Sequence, residues 1–345
     1  MKIEVYSPTI RRKEMDAVLT ALVEDKIGPG EQTRLLIQIA KERLEFDYCL
    51  ALRSPAIALY RALKICDLKD GQGVLISALS PRYYLQVIED LRLKPVYCDV
   101  PAFSACISRE TAEAALAANA GEADVRCIVV HHTLGFLPDM AALVELGFPV
   151  IEDCSQSYGT QTEDRKPGSF GVYTLLGLEE RDMLTAGGGA LLYAFNRRDA
   201  SVLRNAGELP SEYNLPDMNA AMAVVQFRES AKNMEKRREI AQAYTQAALR
   251  SRHKRFVQRD DVDYNHYAFP LILETGVKDV KAYAKRKDIA VESAFEDTLM
   301  GSGRVTPALC PESYSLSLRT VLFPLYPRLG AAEAEKVAKL IVTIP

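Results

Sequence analysis

A chain of 345 residues, 48 % of them apolar, has enough nonpolar surface for a large buried core, and its length predicts two domains. A net charge of -3, with basic runs as short as Lys236-Arg237-Arg238 and Arg250 to Arg255, excludes the broad positive footprint of a nucleic-acid binder. The seven cysteines (49, 66, 98, 106, 127, 154 and 310) lack paired spacing, which argues against a disulfide framework or a metal site, and neither a signal-peptide core nor a bilayer-length apolar run is present. We therefore expect reduced thiols in a cytoplasmic protein with no membrane partner.

Residues 1–12 read as an extended arm. Lys13 to Asp25 has a helical pattern ended by Ile27-Gly28-Pro29-Gly30, and Glu31 to Phe46 follows as an amphipathic helix with Leu35, Ile39 and Leu44 near helical spacing. Strand-like runs then alternate with helices. Val74 to Ala78, Pro95 to Cys98, Cys127 to His131 and Pro149 to Ile151 read as strands, and Pro81 to Leu91, Arg109 to Ala118 and Met140 to Leu146 as helices. Such alternation predicts an α/β fold, with a mostly parallel sheet between two helical layers.

Another apolar run spans Val172 to Leu178, and Asp217 to Ala248 reads as one long helix or two in series. Beyond it, a strand at Tyr267 to Leu273 and helices at Val277 to Arg286 and Ala331 to Val342 predict a smaller C-terminal α+β domain. The expected division is an arm at 1–12, a large three-layer domain at 13–250 and a small domain at 251–345. No internal repeat or low-complexity tract interrupts it.

The stretch from Ile151 to Gly189 is the most informative. Phe148-Pro149-Val150-Ile151 delivers Glu152-Asp153-Cys154-Ser155-Gln156 at a strand end, where open α/β sheets place their chemistry. Gly168-Ser169-Phe170-Gly171, the Val172 to Leu178 run and Gly187-Gly188-Gly189 follow. Further landmarks are Gly28-Pro29-Gly30, His131 to Met140, Tyr213-Asn214 with Asn219-Ala220-Ala221, and Phe323-Pro324-Leu325-Tyr326-Pro327. In this order they closely resemble the DegT/StrS-type sugar aminotransferases, which carry pyridoxal 5'-phosphate (PLP) on a lysine. The resemblance covers nearly the whole chain. It implies the fold type I, aspartate aminotransferase-like PLP-transferase fold, with the site built across a dimer interface.

The resemblance also implies roles residue by residue. Asp153 and Gln156 match the Asp-x-x-Gln pair that meets the cofactor. Counting without a gap from Asp153 puts the catalytic lysine at position 182, which is Asp182, and no lysine lies between Lys166 and Lys232. The phosphate-binding turn, Ser-Gly-Thr in the family, corresponds to Ser54-Pro55-Ala56. Pro55 has no N–H to give and Ala56 no hydroxyl. Gly177 replaces a serine expected shortly before the lysine, and Asn214 matches the residue that reaches into the partner subunit's site. Tyr83 or Tyr84 is a candidate ring-stacking aromatic, Arg181 a candidate counter-charge for Asp182, and His131 and His132 read as structural histidines.

Losing two or three charge-assisted phosphate donors weakens binding by about three to six powers of ten. The first expectation is therefore a degenerate family member without PLP aldimine chemistry, with PLP lost or weakly bound. It would act as a binding or assembly partner in nucleotide-sugar or polysaccharide metabolism, as a homodimer or as a heterodimer with an active paralogue. The alternative is an active PLP-dependent nucleotide-sugar aminotransferase or 3-dehydratase-like enzyme using the cofactor non-covalently, with Asp182 as a base. Ordinary transamination through Lys64, Lys69 or Lys232 lacks the strand-end context.

Overall fold

A computed structural model describes residues 2–163 and 165–345. The first half of the chain alternates as the hydrophobic pattern predicts. In order it forms α1 (Arg12–Val23), α2 (Glu31–Leu44), β1 (Tyr48–Leu52), α3 (Pro55–Ile65), β2 (Gly73–Ser77), α4 (Tyr83–Asp90) and β3 (Lys94–Cys98). Next come α5 (Arg109–Ala118), β4 (Val125–His131), α6 (Met140–Val144), β5 (Val150–Asp153), β6 (Gln161–Thr162), β7 (Tyr173–Gly177), β8 (Ala190–Ala194) and α7 (Arg197–Asn205). The 32-residue α8 (Asp217–Ala248) is a single helix. After it lie β9 (Val262–Asp263), β10 (Phe269–Ile272), α9 (Val277–Lys285), β11 (Glu292–Ser293), α10 (Pro311–Arg319), β12 (Thr320–Phe323) and α11 (Ala331–Thr343).

Helix starts follow from local chemistry. Ser108 and Thr111 form a reciprocal box at α5, each hydroxyl accepting the other's backbone N–H. Ser54 caps α3 by accepting from Ile57 N at 3.3 Å, and Pro55 occupies the first turn, where a missing N–H costs little. The cap of α2 comes from far along the chain. Asp217 accepts from Gly30 N, Gln32 N, Thr33 N and Thr33 Oγ1 at 2.7–3.0 Å, although it is itself almost fully buried. Burial alone raises the carboxyl's pKa, but the Thr33, Gln32 and Gly30 hydrogen bonds outweigh it and hold the group below the usual aspartate value.

Seven strands form the main sheet in the order β1-β8-β7-β5-β4-β2-β3. The β7-β5-β4-β2-β3 block is parallel, and β8 runs antiparallel to both of its neighbours. Because side chains alternate along a strand, the two faces bury different residues. Leu175 and Leu192 pack with Ala58, Leu59 and Ala62 of α3 and with Tyr84 and Ile88 of α4. Leu176, Leu191 and Tyr193 pack on the other side with Leu36 and Ala40 of α2 and Ala220, Val224 and Phe227 of α8.

A second sheet, β10-β12-β11, is antiparallel. It is covered by Val280 of α9, by Val337 and Leu340 of α11, and by Ile240 and Tyr244 from the far half of α8. The arm joins this unit: Ile3 N donates to Asp288 O and Ala290 N to Ile3 O, both at 2.8 Å. No helix of the described residues is long and apolar enough to cross a membrane.

Candidate functional site

Two consecutive acids end β5 and face opposite sides of the sheet. Glu152 and Asp153 are both buried, yet different groups neutralise their lone pairs. Glu152 accepts only backbone N–H groups here, from Gly168 at 2.9 Å and from Phe170 and Gly171 at 2.6 Å. Burial pushes its pKa up, and those three donors act against the rise.

Asp153 takes its hydrogen bonds mainly from hydroxyls. Its Oδ2 accepts from Tyr84 at 2.6 Å and Tyr83 at 3.1 Å, and its Oδ1 from Ser155 N at 3.0 Å and from Ser155 Oγ. A carboxylate has about four lone-pair positions, so these four donors fill Asp153. Burial, with the Asp153 charge second, raises both tyrosine pKa values well above the phenol range and keeps the hydroxyls protonated.

Beyond β7 the chain makes a tight turn in which Asp182 N donates to Glu179 O at 3.1 Å and Glu179 N to Asp182 Oδ2 at 2.8 Å. Of the charged run Glu179 to Asp182, the aspartate is the one that points inward. A Cβ on Gly177 would collide with the Asp182 carboxylate and crowd Ser155 Oγ, so this glycine lets the aspartate close against the Asp153 cluster. Burial, followed by the charges of Asp153 and Glu179, raises the Asp182 pKa to about 7.

Tyr6, Tyr83 and Tyr267 lie within electrostatic reach of Asp182. Tyr6 comes from the arm, its hydroxyl donates to Glu180 O, and burial lifts its pKa to about 12. Among the described residues, no lysine makes a hydrogen bond or ion pair with Asp153 or Asp182.

The site expectations therefore separate. Asp153, Asp182 and Gly177 come together, linked through Ser155, whose Oγ accepts from Gly177 N at 2.8 Å. Ser54 and Ala56 sit at the start of α3, which packs on β7 and β8, and Ser54 Oγ accepts from Ile57 N while its O–H remains available as a donor. The Gln156 side chain does not join Asp153. Its Oε1 accepts from Leu134 N at 2.6 Å and holds a residue in left-handed backbone conformation (φ 56°). Asn214 lies beside β1, bridged to Leu52, and lines a cavity with Tyr48, Leu50 and Arg204.

Arg181 corrects the expectation of an inward counter-charge. It is exposed and pairs with Glu292 at 2.8 Å, because an ion pair in water avoids desolvating the guanidinium. His132 is neutral, with its pKa driven down to about 3 by burial and then by His131. No Cys or carboxylate spacing in the chain points to it, but folding places Glu152 Oε2 3.7 Å from its Nε2 and Cys154 Sγ 3.5 Å from its Nδ1. Sequence reasoning missed Ser155, Tyr6 and Tyr267. Asp153 itself was the one available signal, since an Asx turn takes the backbone N–H two residues on, and that bond, Ser155 N to Asp153 Oδ1 at 3.0 Å, brings the Ser155 hydroxyl alongside.

The profile of the DegT/DnrJ/EryC1/StrS aminotransferase family matches residues 8–342. Two similar proteins are L-glutamine:2-deoxy-scyllo-inosose aminotransferases, one from Streptomyces lividus and one from Streptomyces paromomycinus. The first is 28% identical over 190 residues, 54% of this chain and 43% of that protein. The second is 26% identical over 209 residues, 58% of this chain and 47% of that protein. The chain thus aligns with less than half the length of these curated relatives.

Solved structures share the fold over almost the full chain. The aminotransferase TlmJ from Streptoalloteichus hindustanus has a TM-score of 0.88 at 19% identity, covering 98% of this chain and 97% of its own. The E. coli GDP-4-keto-6-deoxy-D-mannose-3-dehydratase with hydrated PLP has a TM-score of 0.85 at 13% identity and 99% coverage of both chains. With the profile spanning nearly every residue, the chain belongs to the DegT/DnrJ/EryC1/StrS aminotransferase family.

Proposed function

We propose that this chain is a family member without lysine-linked PLP chemistry, which keeps the fold and a ligand cleft as a binding or assembly partner in nucleotide-sugar or polysaccharide metabolism. The observation that carries this reading is the filled carboxylate of Asp153, with an aspartate rather than a lysine beside it. A pyridinium N–H brought to Asp153 finds no free lone pair, and a phosphate brought to α3 finds Ser54 as the one hydroxyl donor of the turn, Pro55 lacking an N–H and Ala56 a hydroxyl. The residues present do not fit PLP.

The ligand we infer for the cleft is a nucleotide sugar. The assembly is a homodimer or a heterodimer with an active paralogue, in which Asn214 reaches the partner's site. Tyr6, Tyr83 and Tyr267 lie within electrostatic reach of Asp182, and their phenols together with that carboxyl offer a polyhydroxylated ligand both donors and acceptors.

A second reading is favoured by one observation: Asp182 titrates near neutrality, where a carboxyl can give and take a proton. In that reading the chain is a 3-dehydratase-like or aminotransferase enzyme with a non-covalent cofactor, and Tyr83 and Tyr84 release Asp153 when it binds. A PLP titration of the purified protein, followed by absorbance and by a binding isotherm, separates the two. No saturation at millimolar PLP supports the first reading. Saturable micromolar binding with a perturbed cofactor spectrum that Asp153→Asn abolishes overturns it in favour of the second.

A further inference from the structure

We propose a second ligand site on the face of the main sheet opposite Asp153, for a small hydroxylated molecule that carries an oxyanion. Residues of alternate parity reach this face: Glu152, Thr174, Leu176 and Tyr193 lie in register across β5, β7 and β8 and point away from Asp153, Leu175 and Gly177. Here α2, β8, α8 and the loop after β5 leave a cavity of about 470 Å³, within the range of small-molecule sites. The cavity stands apart from the Asp153 cleft, and the proposal does not rest on the reading of that cleft.

The lining has the asymmetry of a binding site. Tyr193 is 2% exposed and its ring stacks on Phe46 at 5.0 Å, so the phenol is rigidly held. Its hydroxyl borders the cavity and has no hydrogen-bond partner among the described residues. A phenol held rigidly at a cavity wall offers a ligand one donor and one acceptor at little entropic cost. Nearby, the buried Ser230 hydroxyl donates to Phe227 O at 2.8 Å, so the Tyr158 phenol donates to it at 3.3 Å and keeps acceptor capacity towards the same space.

Charge enters at the rim. Arg43 lies 3.5 Å from Ser230 Oγ and makes no ion pair among the described residues, and Lys166 lines the same opening, held at 2.7 Å by the exposed Glu45. No carboxylate is among the described lining residues. Cys154 closes the floor as a protonated thiol, its pKa raised by burial and then by the Glu152 charge, and it contributes shape rather than reactivity. An anion at the mouth therefore meets the unpaired Arg43, and hydroxyls directed inward meet the Tyr193 and Tyr158 phenols.

The test uses sn-glycerol 3-phosphate as the probe, with glycerol as its uncharged control, in calorimetric titrations of the whole chain. We expect saturable binding of the phosphate ester and none of glycerol. Arg43→Gln weakens binding by about tenfold or more and Tyr193→Phe by about three- to tenfold, as the loss of a charged and a neutral hydrogen bond requires. Arg43 is exposed and Tyr193→Phe removes only an oxygen, so both variants fold. Ala231→Phe, at an exposed α8 position lining the cavity, blocks the site and abolishes binding. The proposal is overturned by the absence of saturation up to about 10 mM, or by affinity that none of the three substitutions changes.

Discussion

Glu152 and Asp153 are adjacent, equally buried and identically charged in water, yet folding gives them opposite surroundings. Glu152 is neutralised by three backbone N–H groups of the Gly168 to Gly171 turn, which cannot move without unmaking that turn. Asp153 is neutralised largely by the side-chain hydroxyls of Tyr83, Tyr84 and Ser155, which rotate or mutate without disturbing the backbone. A carboxylate bound by main chain is part of the architecture, and one bound by side chains is a site whose occupant can change.

The largest effect should come from breaking the first member of the pair. Glu152→Ala leaves three buried donors unpaired and should cost about 3–5 kcal/mol, read as a lowered denaturant midpoint with an unchanged slope. The long-range cap offers a second architectural carboxylate for comparison. Asp217→Asn should cost about 2 kcal/mol at neutral pH, because Asn accepts with one atom where Asp accepts with two. The Asp217 pKa is depressed on folding, so its stabilisation is present above the ordinary aspartate value and lost as pH falls through the folded value. The gap between wild type and Asp217→Asn should close over that acid window in parallel unfolding curves.

The site side of the comparison predicts the opposite sign. The Asp182 pKa of about 7 lies above the usual 3.8, so the folded chain keeps a proton that the unfolded chain releases between those values. Stability from that proton is full below about pH 4 and is lost as pH rises to 7. Asp182→Asn cannot ionise and should be more stable than wild type above pH 7 by about 1–2 kcal/mol, a figure reduced for the partial solvent contact of the group, with the two proteins converging near pH 4. Thermal melts from pH 4 to 8 measure both limits. The smallest effect belongs to Tyr84→Phe, at about 1 kcal/mol of stability. Because it reopens a lone pair on Asp153, PLP should bind this variant more tightly than wild type in an absorbance titration, and unchanged binding would show that Tyr84 does not guard the carboxylate.

Much of the fold was legible because periodicity and caps agree locally. The helix expected at Arg109 to Ala118 forms with those bounds, closed by the Ser108–Thr111 box, and Asp217 to Ala248 forms as one helix. The antiparallel edge pair β1 and β8 escaped notice because five-residue apolar runs beside Pro55 and the glycine triplet carry no periodic signal. The site was half legible. The sequence motif marks Asp153 and Asp182, which folding brings into one cluster, but the convergence of Tyr83 and Tyr84 on one oxygen depends on tertiary approach between α4 and β5. No spacing rule encodes that approach. The diversion of Gln156 to Leu134 and of Arg181 to Glu292 was equally invisible, since either side chain is long enough to have reached Asp153 or Asp182.

The carboxylate that caps α2 has a consequence for synthesis. Asp217 reaches back 184 to 187 residues to Gly30, Gln32 and Thr33. During translation at about 5–20 residues per second, the N-terminus of α2 leaves the ribosome roughly 10–40 s before the group that completes it. Over that interval the nascent helix presents open N–H groups and the apolar flank of Leu36 and Ala40 to solvent or to a chaperone. The start of α8 is thus the point in synthesis at which an early helix acquires its final partner.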